Sequence, residues 1–107
     1  MTLVEPQEFR SRARVDNGEA VVAVWGELDL STVPELSRSL APVLDTHPHE
    51  VTLDLAGLRF IDSTGLSLIV QTSKQLKTHE GVLALTHPTA AVRRVLEIVG
   101  LDGLLVA

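Results

Sequence analysis

The sequence predicts an α/β fold, in which an N-terminal β-hairpin leads into a mixed, mostly parallel sheet of about four to five strands packed with helices. Three observations predict it. Short apolar runs alternate with longer segments of helical spacing along most of the chain. A turn signal, Asp16-Asn17-Gly18, divides the first two runs. Strands separated by helices also require parallel pairing through right-handed crossovers.

The elements follow in order. Phe9, Ala13 and Val15 give a loose period of two before the turn, and Ala20 to Glu27 is almost continuously apolar, which predicts a strand buried on both faces. Next, "STVPELSRSLAPVL" sets Val33, Leu36, Leu40, Val43 and Leu44 at helical spacing. Thr32 with Glu35 forms a capping-box pattern there, and Pro34 fits the first turn, where its missing N–H costs nothing. "EVTLDLAGL" alternates Val51, Leu53 and Leu55 against Thr52 and Asp54, predicting a third strand. A second helix begins near Ser63 and runs to about Glu80, with Gly81 as its stop. "VLAL" makes a fourth strand, "PTAAVRRVLEIVG" a third helix with Val92, Val95, Leu96 and Val99 on one face, and "LLVA" closes the chain.

The 107 residues suffice for one domain, 1–107, and are too few for two. Nine Lys and Arg against fourteen Asp and Glu leave a net charge of −5. That balance argues against a nucleic-acid binder, which needs a basic face, and suits docking onto a basic patch of a protein. No cysteine is present, which excludes disulfides and thiolate metal sites and fits a reducing compartment. "MTLVEPQEFR" holds no apolar stretch long enough for a signal peptide, and no run approaches the roughly 20 residues of a membrane span. The expectation is a cytoplasmic protein that binds no membrane.

Strands two, three and four run the same way, so the loops leaving them are expected at one edge of the sheet. Asp29, the Asp62–Ser63 pair and His87–Pro88 lie in those loops. The stretch "FIDSTGLSLIV" puts Ser63 and Thr64 between an acid and Gly65 at the mouth of a helix. One reading makes Ser63 a helix cap, accepting a first-turn N–H. A hydrolase nucleophile fits poorly, because Ile61 stands where the nucleophile elbow needs glycine and only His87 could serve as base. "DSTG" also breaks the D-[ST]-G of an aspartic protease. A third reading is a site of phosphorylation. A phosphate would bring roughly −1.5 to −2 charges beside Asp62 and Asp29, at a helix N-terminus that tolerates an anion, and repel a docked partner without unfolding the domain.

At these residues the sequence resembles the STAS-domain anti-sigma factor antagonists. "FIDSTGL" preceded by "VTLDLAGL" is similar to their phosphorylation segment, "GELDLSTVPEL" to their earlier loop and helix entry, and "AVRRVLEIVGLDGLL" to their closing helix and tail. The likeness runs from about Val21 to Leu105. It implies a single STAS domain with no enzymatic activity and no cofactor or metal. The unphosphorylated form would bind an anti-sigma factor, often itself a serine kinase, and thereby free a sigma factor for transcription. Phosphorylation of Ser63 would end binding and a phosphatase would restore it, with Thr64 the lesser acceptor. Asp29 matches the family's acidic residue in the neighbouring loop, which is equally readable as a local cap. Ser67 departs from the small Gly or Ala of many relatives. The chain would be a monomer or weak dimer. Alternatives on the same fold are a scaffold subunit of a signalling assembly or a component of a lipid-transport complex. A nucleotide-binding protein is less favoured, since no P-loop glycine motif is present.

Helix two offers a partner surface. At 100° per residue, Leu66, Ile69, Val70, Ser73 and Leu76 share one side, which should face the sheet. Leu68 falls nearly opposite, with Thr64, Gln71, Thr72 and Gln75, as a candidate hydrophobic anchor. The expected partner-binding set is therefore Asp29, Asp62, Ser63, Thr64, Ser67, Leu68 and Gln71. His47 and His49 lack companions for a metal site, Trp25 reads as packing, and Arg93–Arg94 as a solvated helix face.

Overall fold

The structure, a computed structural model, describes residues 8–106. The signal-peptide expectation for the first residues lies outside the described residues. The order is β1 (Arg10–Asp16), β2 (Glu19–Leu28), α1 (Val33–Leu44), β3 (Glu50–Ile61), α2 (Ser63–Lys77), β4 (Val82–Thr86) and α3 (Ala90–Ile98), then a 3-10 turn at Asp102–Leu104. Among the described residues the sheet has four strands in the order β1-β2-β3-β4. The first pair is antiparallel and the other two are parallel. The closing segment adds only an isolated parallel bridge, Leu85 with Leu105.

Asn17 and Gly18 connect β1 to β2 with φ of 50° and 79°, the pair of positive values that a type I′ turn requires. Its hand matches the twist of the strands, so Asp16 pairs directly with Glu19. Thr32 is the N-cap of α1, but its side chain caps nothing. The Thr32 hydroxyl turns back, donating to the Glu27 carbonyl at 2.7 Å and accepting from the Asp29 N–H at 2.9 Å. The capping box read from the sequence is therefore replaced by a turn that ties the helix entry to β2.

The β2-α1-β3 and β3-α2-β4 crossovers step across the sheet in the same direction. Right-handed connections then place both helices on the same face. Burial follows: Ala20, Val22, Val24 and Leu28 are buried in β2, while Val21 is 38% exposed. The expectation that β2 is covered on both faces is thus corrected. Its apolar run is one covered row interleaved with one bare row. The core joins that row to Val51, Leu53, Leu55, Leu58 and Ile61 of β3, Leu83 and Leu85 of β4, and the inner faces of all three helices. Ala13 and Val15 belong to the helix-facing row of β1 but stay exposed at the sheet's edge.

In β3 the buried positions run 51, 53, 55 and then 58 and 61. The register against β2 slips twice, between Ala23 and Trp25 and between Gly26 and Glu27. Each slip is a bulge that gives β3 an extra residue and bends it. Among the described residues no helix is long and apolar enough to cross a membrane.

Candidate functional site

The ends of β2 and β3 lie side by side, with Leu28 paired to Ile61. Asp62, the next residue, is extended (φ −106°, ψ −173°) and caps α2. One of its carboxylate oxygens accepts from the N–H of Thr64 at 2.9 Å, the N–H of Gly65 at 3.1 Å and the Thr64 hydroxyl. The cap is therefore Asp62 and not Ser63, which correct the capping reading of the serine. Ser63 becomes the first residue of the helix, exposed, its hydroxyl without a hydrogen bond among the described residues.

Gly65 makes this geometry possible. A Cβ there would stand 2.8 Å from Cγ1 of Ile61 and 2.9 Å from Cγ of Leu28. Only a bare Cα lets the helix head sit directly on the two strand ends. The hydroxyl of Thr64 further holds the Asp62 carboxyl below its ordinary range, with the Gly65 N–H adding to it. Asp62 is consequently charged at neutral pH, and its charge already occupies the N–H groups of Thr64 and Gly65.

Asp29 organises the neighbouring loop in the same way. Its carboxylate accepts from the Ser31 hydroxyl at 2.7 Å and from the N–H groups of Ser31 and Thr32 at 3.0 and 3.2 Å. The Ser31 hydroxyl is the main cause that lowers its pKa. The two loops are joined: the Asp62 N–H donates to the Leu28 carbonyl, and hydrogen bonding from the Leu30 backbone helps to lower the Asp62 pKa. Asp29, Asp62, Ser63 and Thr64 thus share one edge, as the sequence predicts.

His87 does not. β4 is paired only as far as Thr86 opposite Asp54, whereas β3 runs on to Ile61. At about 3.3 Å per residue this separates the two strand exits by roughly 20 Å. His87 instead faces Asp54 at 3.6 Å. Strand length, which the order of elements does not specify, defeats the three-loop expectation and removes the only histidine base proposed for Ser63.

Along α2 the candidate residues divide. Ser63, Ser67, Gln71 and Lys74 line a depression of about 370 Å³ whose far wall is Val99 and Leu101. Leu68 is half-buried and packs against the core, lining a separate depression with α1 residues such as Ser37 and Ala41. It is a seam residue between helices rather than a free anchor. Thr72, expected on the outer side, is 3% exposed and donates its hydroxyl to the Leu68 carbonyl. The interhelical contact with α1 shifts the buried arc of α2 toward these two residues. Val99, expected on the inner face of α3, is the C-cap and is exposed in the depression wall.

Sequence reasoning missed the apolar groups that the edge does expose. Leu30, between Asp29 and Ser31, is 75% exposed, and Phe60 is 49% exposed in the strand that leads to Asp62. The signal for Leu30 was its place in an otherwise polar loop. Among the described residues no group of three or more His, Cys, Asp or Glu side chains is arranged to hold a metal ion.

Comparison with known proteins agrees with this fold. The family model described as "Mlab, STAS domain" matches residues 11–107. The chain is 39% identical over 84 residues to the anti-sigma-B factor antagonist of Staphylococcus epidermidis, covering 78% of each. It is 37% identical, over the same share of each, to that of Staphylococcus aureus strain NCTC 8325. Among solved structures, an anti-sigma factor antagonist from Mycobacterium paratuberculosis matches with a TM-score of 0.82 at 29% identity, covering 94% of this chain and 86% of that one. The antagonist SpoIIAA in its unphosphorylated form shares the fold, with a TM-score of 0.80 at 23% identity over 92% of this chain and 86% of its own. The α/β architecture, the Asp62-capped helix and these matches lead to one conclusion: the chain belongs to the STAS domain family.

Proposed function

We propose that this protein is an anti-sigma factor antagonist of the cytoplasm, acting by binding and not by catalysis. Its unphosphorylated form binds an anti-sigma factor and so releases a sigma factor. Phosphorylation of Ser63 by that partner, acting as a serine kinase, ends the interaction, and a phosphatase restores it. The binding surface comprises Asp29, Asp62, Ser63, Thr64, Ser67 and Gln71 together with Leu30, and Leu68 supports it from the α1 seam.

The observation that carries the reading is the contrast between the two adjacent hydroxyls. Ser63 is exposed at the first position of α2, while the Thr64 hydroxyl is committed to the Asp62 carboxylate. A kinase needs a free hydroxyl, which supports Ser63 as acceptor. Because Asp62 already takes the N–H groups of Thr64 and Gly65, a phosphate on Ser63 would find them occupied. Its charge would add to Asp62 and Asp29 and project toward a docked partner. The similarity to anti-sigma-B factor antagonists supports the choice of partner class.

The test mixes the purified protein with candidate anti-sigma kinases and ATP and maps the phosphate by mass spectrometry. Ser63→Ala abolishes the label and keeps binding, and Ser63→Asp weakens binding. Phosphate found only elsewhere rejects the assignment of Ser63. Equal binding by wild type and Ser63→Asp points instead to a scaffold or transport-complex subunit that ignores this charge.

A further inference from the structure

Among the described residues the second face of the sheet carries no helix, and its β1 edge is lined by basic side chains. Cross-strand partners in an antiparallel pair point to the same side. Arg10, Arg12 and Arg14 of β1 pair with Trp25, Ala23 and Val21 of β2, the row opposite the buried one. Three of the nine basic residues of a chain with net charge −5 therefore stand in line on one bare face. The Arg10 guanidinium lies 5.1 Å from the Trp25 ring centre. Arg12 and Arg14 flank a shallow depression of about 330 Å³ floored by Val21 and Ala23. None of the three has an ion-pair partner among the described residues. Asp16, paired with Glu19, ends the row at the turn, and Asp54, on the far side of the depression, is engaged by His87 and by the Ala56 N–H.

Among the described residues β1 is also an edge strand, paired only with β2. A strand added beside it would place alternate side chains on the arginine face, repeating about every 6.6–7 Å along the strand, which is the spacing of the arginines themselves. A second copy of β1 is a poor occupant, because it would set arginine opposite arginine. An extended acidic peptide is a good one. It is a single strand wide, about 4.8 Å, and lies beside β1 on the side away from Glu50 and Asp54. A nucleic-acid backbone is broader and would meet those acids.

We infer that the β1 edge, through Arg10, Arg12 and Arg14, is a docking site for an extended partner segment carrying carboxylates at alternate positions. The segment adds a strand to the sheet, and its carboxylates meet the arginine row in register. The site stands apart from Ser63 and works whether or not that residue is modified.

Trp25, the only tryptophan, is a built-in reporter, since it lies under Arg10 on this face. The experiment titrates the full chain with a blocked peptide of alternating glutamate and valine at low salt, following Trp25 fluorescence and binding heat. The expected result is saturable binding with a fluorescence change. Binding weakens about tenfold in an Arg12→Gln, Arg14→Gln variant whose circular dichroism matches wild type, as the loss of two ion pairs predicts. A control Arg93→Gln, Arg94→Gln variant on α3 binds like wild type. Absence of binding by the wild type, equal weakening by the control pair, or equal affinity for a peptide with the same glutamates clustered would each overturn the proposal. Tighter binding of single-stranded oligothymidylate than of the peptide would also overturn it and assign the face to nucleic acid.

Discussion

The backbone N–H of Asp62 donates to the carbonyl of Leu28 at 3.1 Å, tying the residue that caps α2 to the end of the neighbouring parallel strand. The acidic loop at Asp29 and the helix head at Ser63 are thereby joined as one unit, although they are far apart in the chain. Four expectations follow from how that unit is built.

Gly65→Ala is destabilising despite the better helix former. Alanine gains about 1 kcal/mol of helix propensity. The clash with Ile61 and Leu28 costs about 1–3 kcal/mol, because both neighbours are buried core atoms. Urea denaturation is expected to give a net loss, accompanied by weaker binding of the anti-sigma factor as the helix head moves. A gain in stability would show that the head has room to spare.

Acid lowers stability through Asp29 and Asp62. Both carboxyls titrate below their ordinary value in the folded chain, so the unfolded chain takes up protons first as pH falls. Their contribution is fully present above about pH 4, the ordinary aspartate range, and is lost progressively below it. Asp62→Asn keeps a capping oxygen but cannot titrate. Its melting temperature should therefore fall less steeply between about pH 4 and pH 2 than that of wild type. Parallel curves would place the acid sensitivity elsewhere.

Leu30 and Leu68 separate docking from folding. Leu30→Asp alters an exposed loop side chain and should change stability by less than about 0.5 kcal/mol while weakening partner binding. Leu68→Asp puts a carboxylate into the α1–α2 seam and should cost about 1–3 kcal/mol. Thermal melts paired with a binding titration decide the matter, and a stable Leu68→Asp protein that fails to bind would make Leu68 a contact residue after all.

Thr64→Val removes the hydroxyl from the Asp62 carboxylate without touching Ser63. The Asp62 pKa then rises toward its ordinary value, observable by NMR titration, because the largest lowering influence is gone. Kinase labelling persists. Loss of the label in this variant would move the acceptor to Thr64.

Much of this was legible in the chain. Asn17-Gly18 announced its turn because few other residues tolerate two positive φ values. The start of α2 was found, although the wrong neighbour was given the cap, since aspartate and serine cap helices about equally well. The misjudged features depend on relations between segments. An apolar strand of Ala and Val reads the same whether one face is covered or both, and only the direction of the crossovers decides. The site of His87 depended on β4 being short, and the burial of Thr72 on where α1 lay. Leu30 carried a faint signal, an apolar residue in a polar loop, that nothing nearby explained.

The depression beside Ser63 also bears on what a partner must present. Ser63 lies at the helix-head end of that depression, which runs along α2 to Lys74 under Val99 and Leu101. A partner side chain seated there would lie against the Ser63 hydroxyl, so the depression is the recess to be entered. Entry into a recess is sensitive to bulk as well as to charge. An uncharged group as large as phosphate, fixed to Ser63, should therefore keep the two proteins apart almost as effectively as phosphate itself.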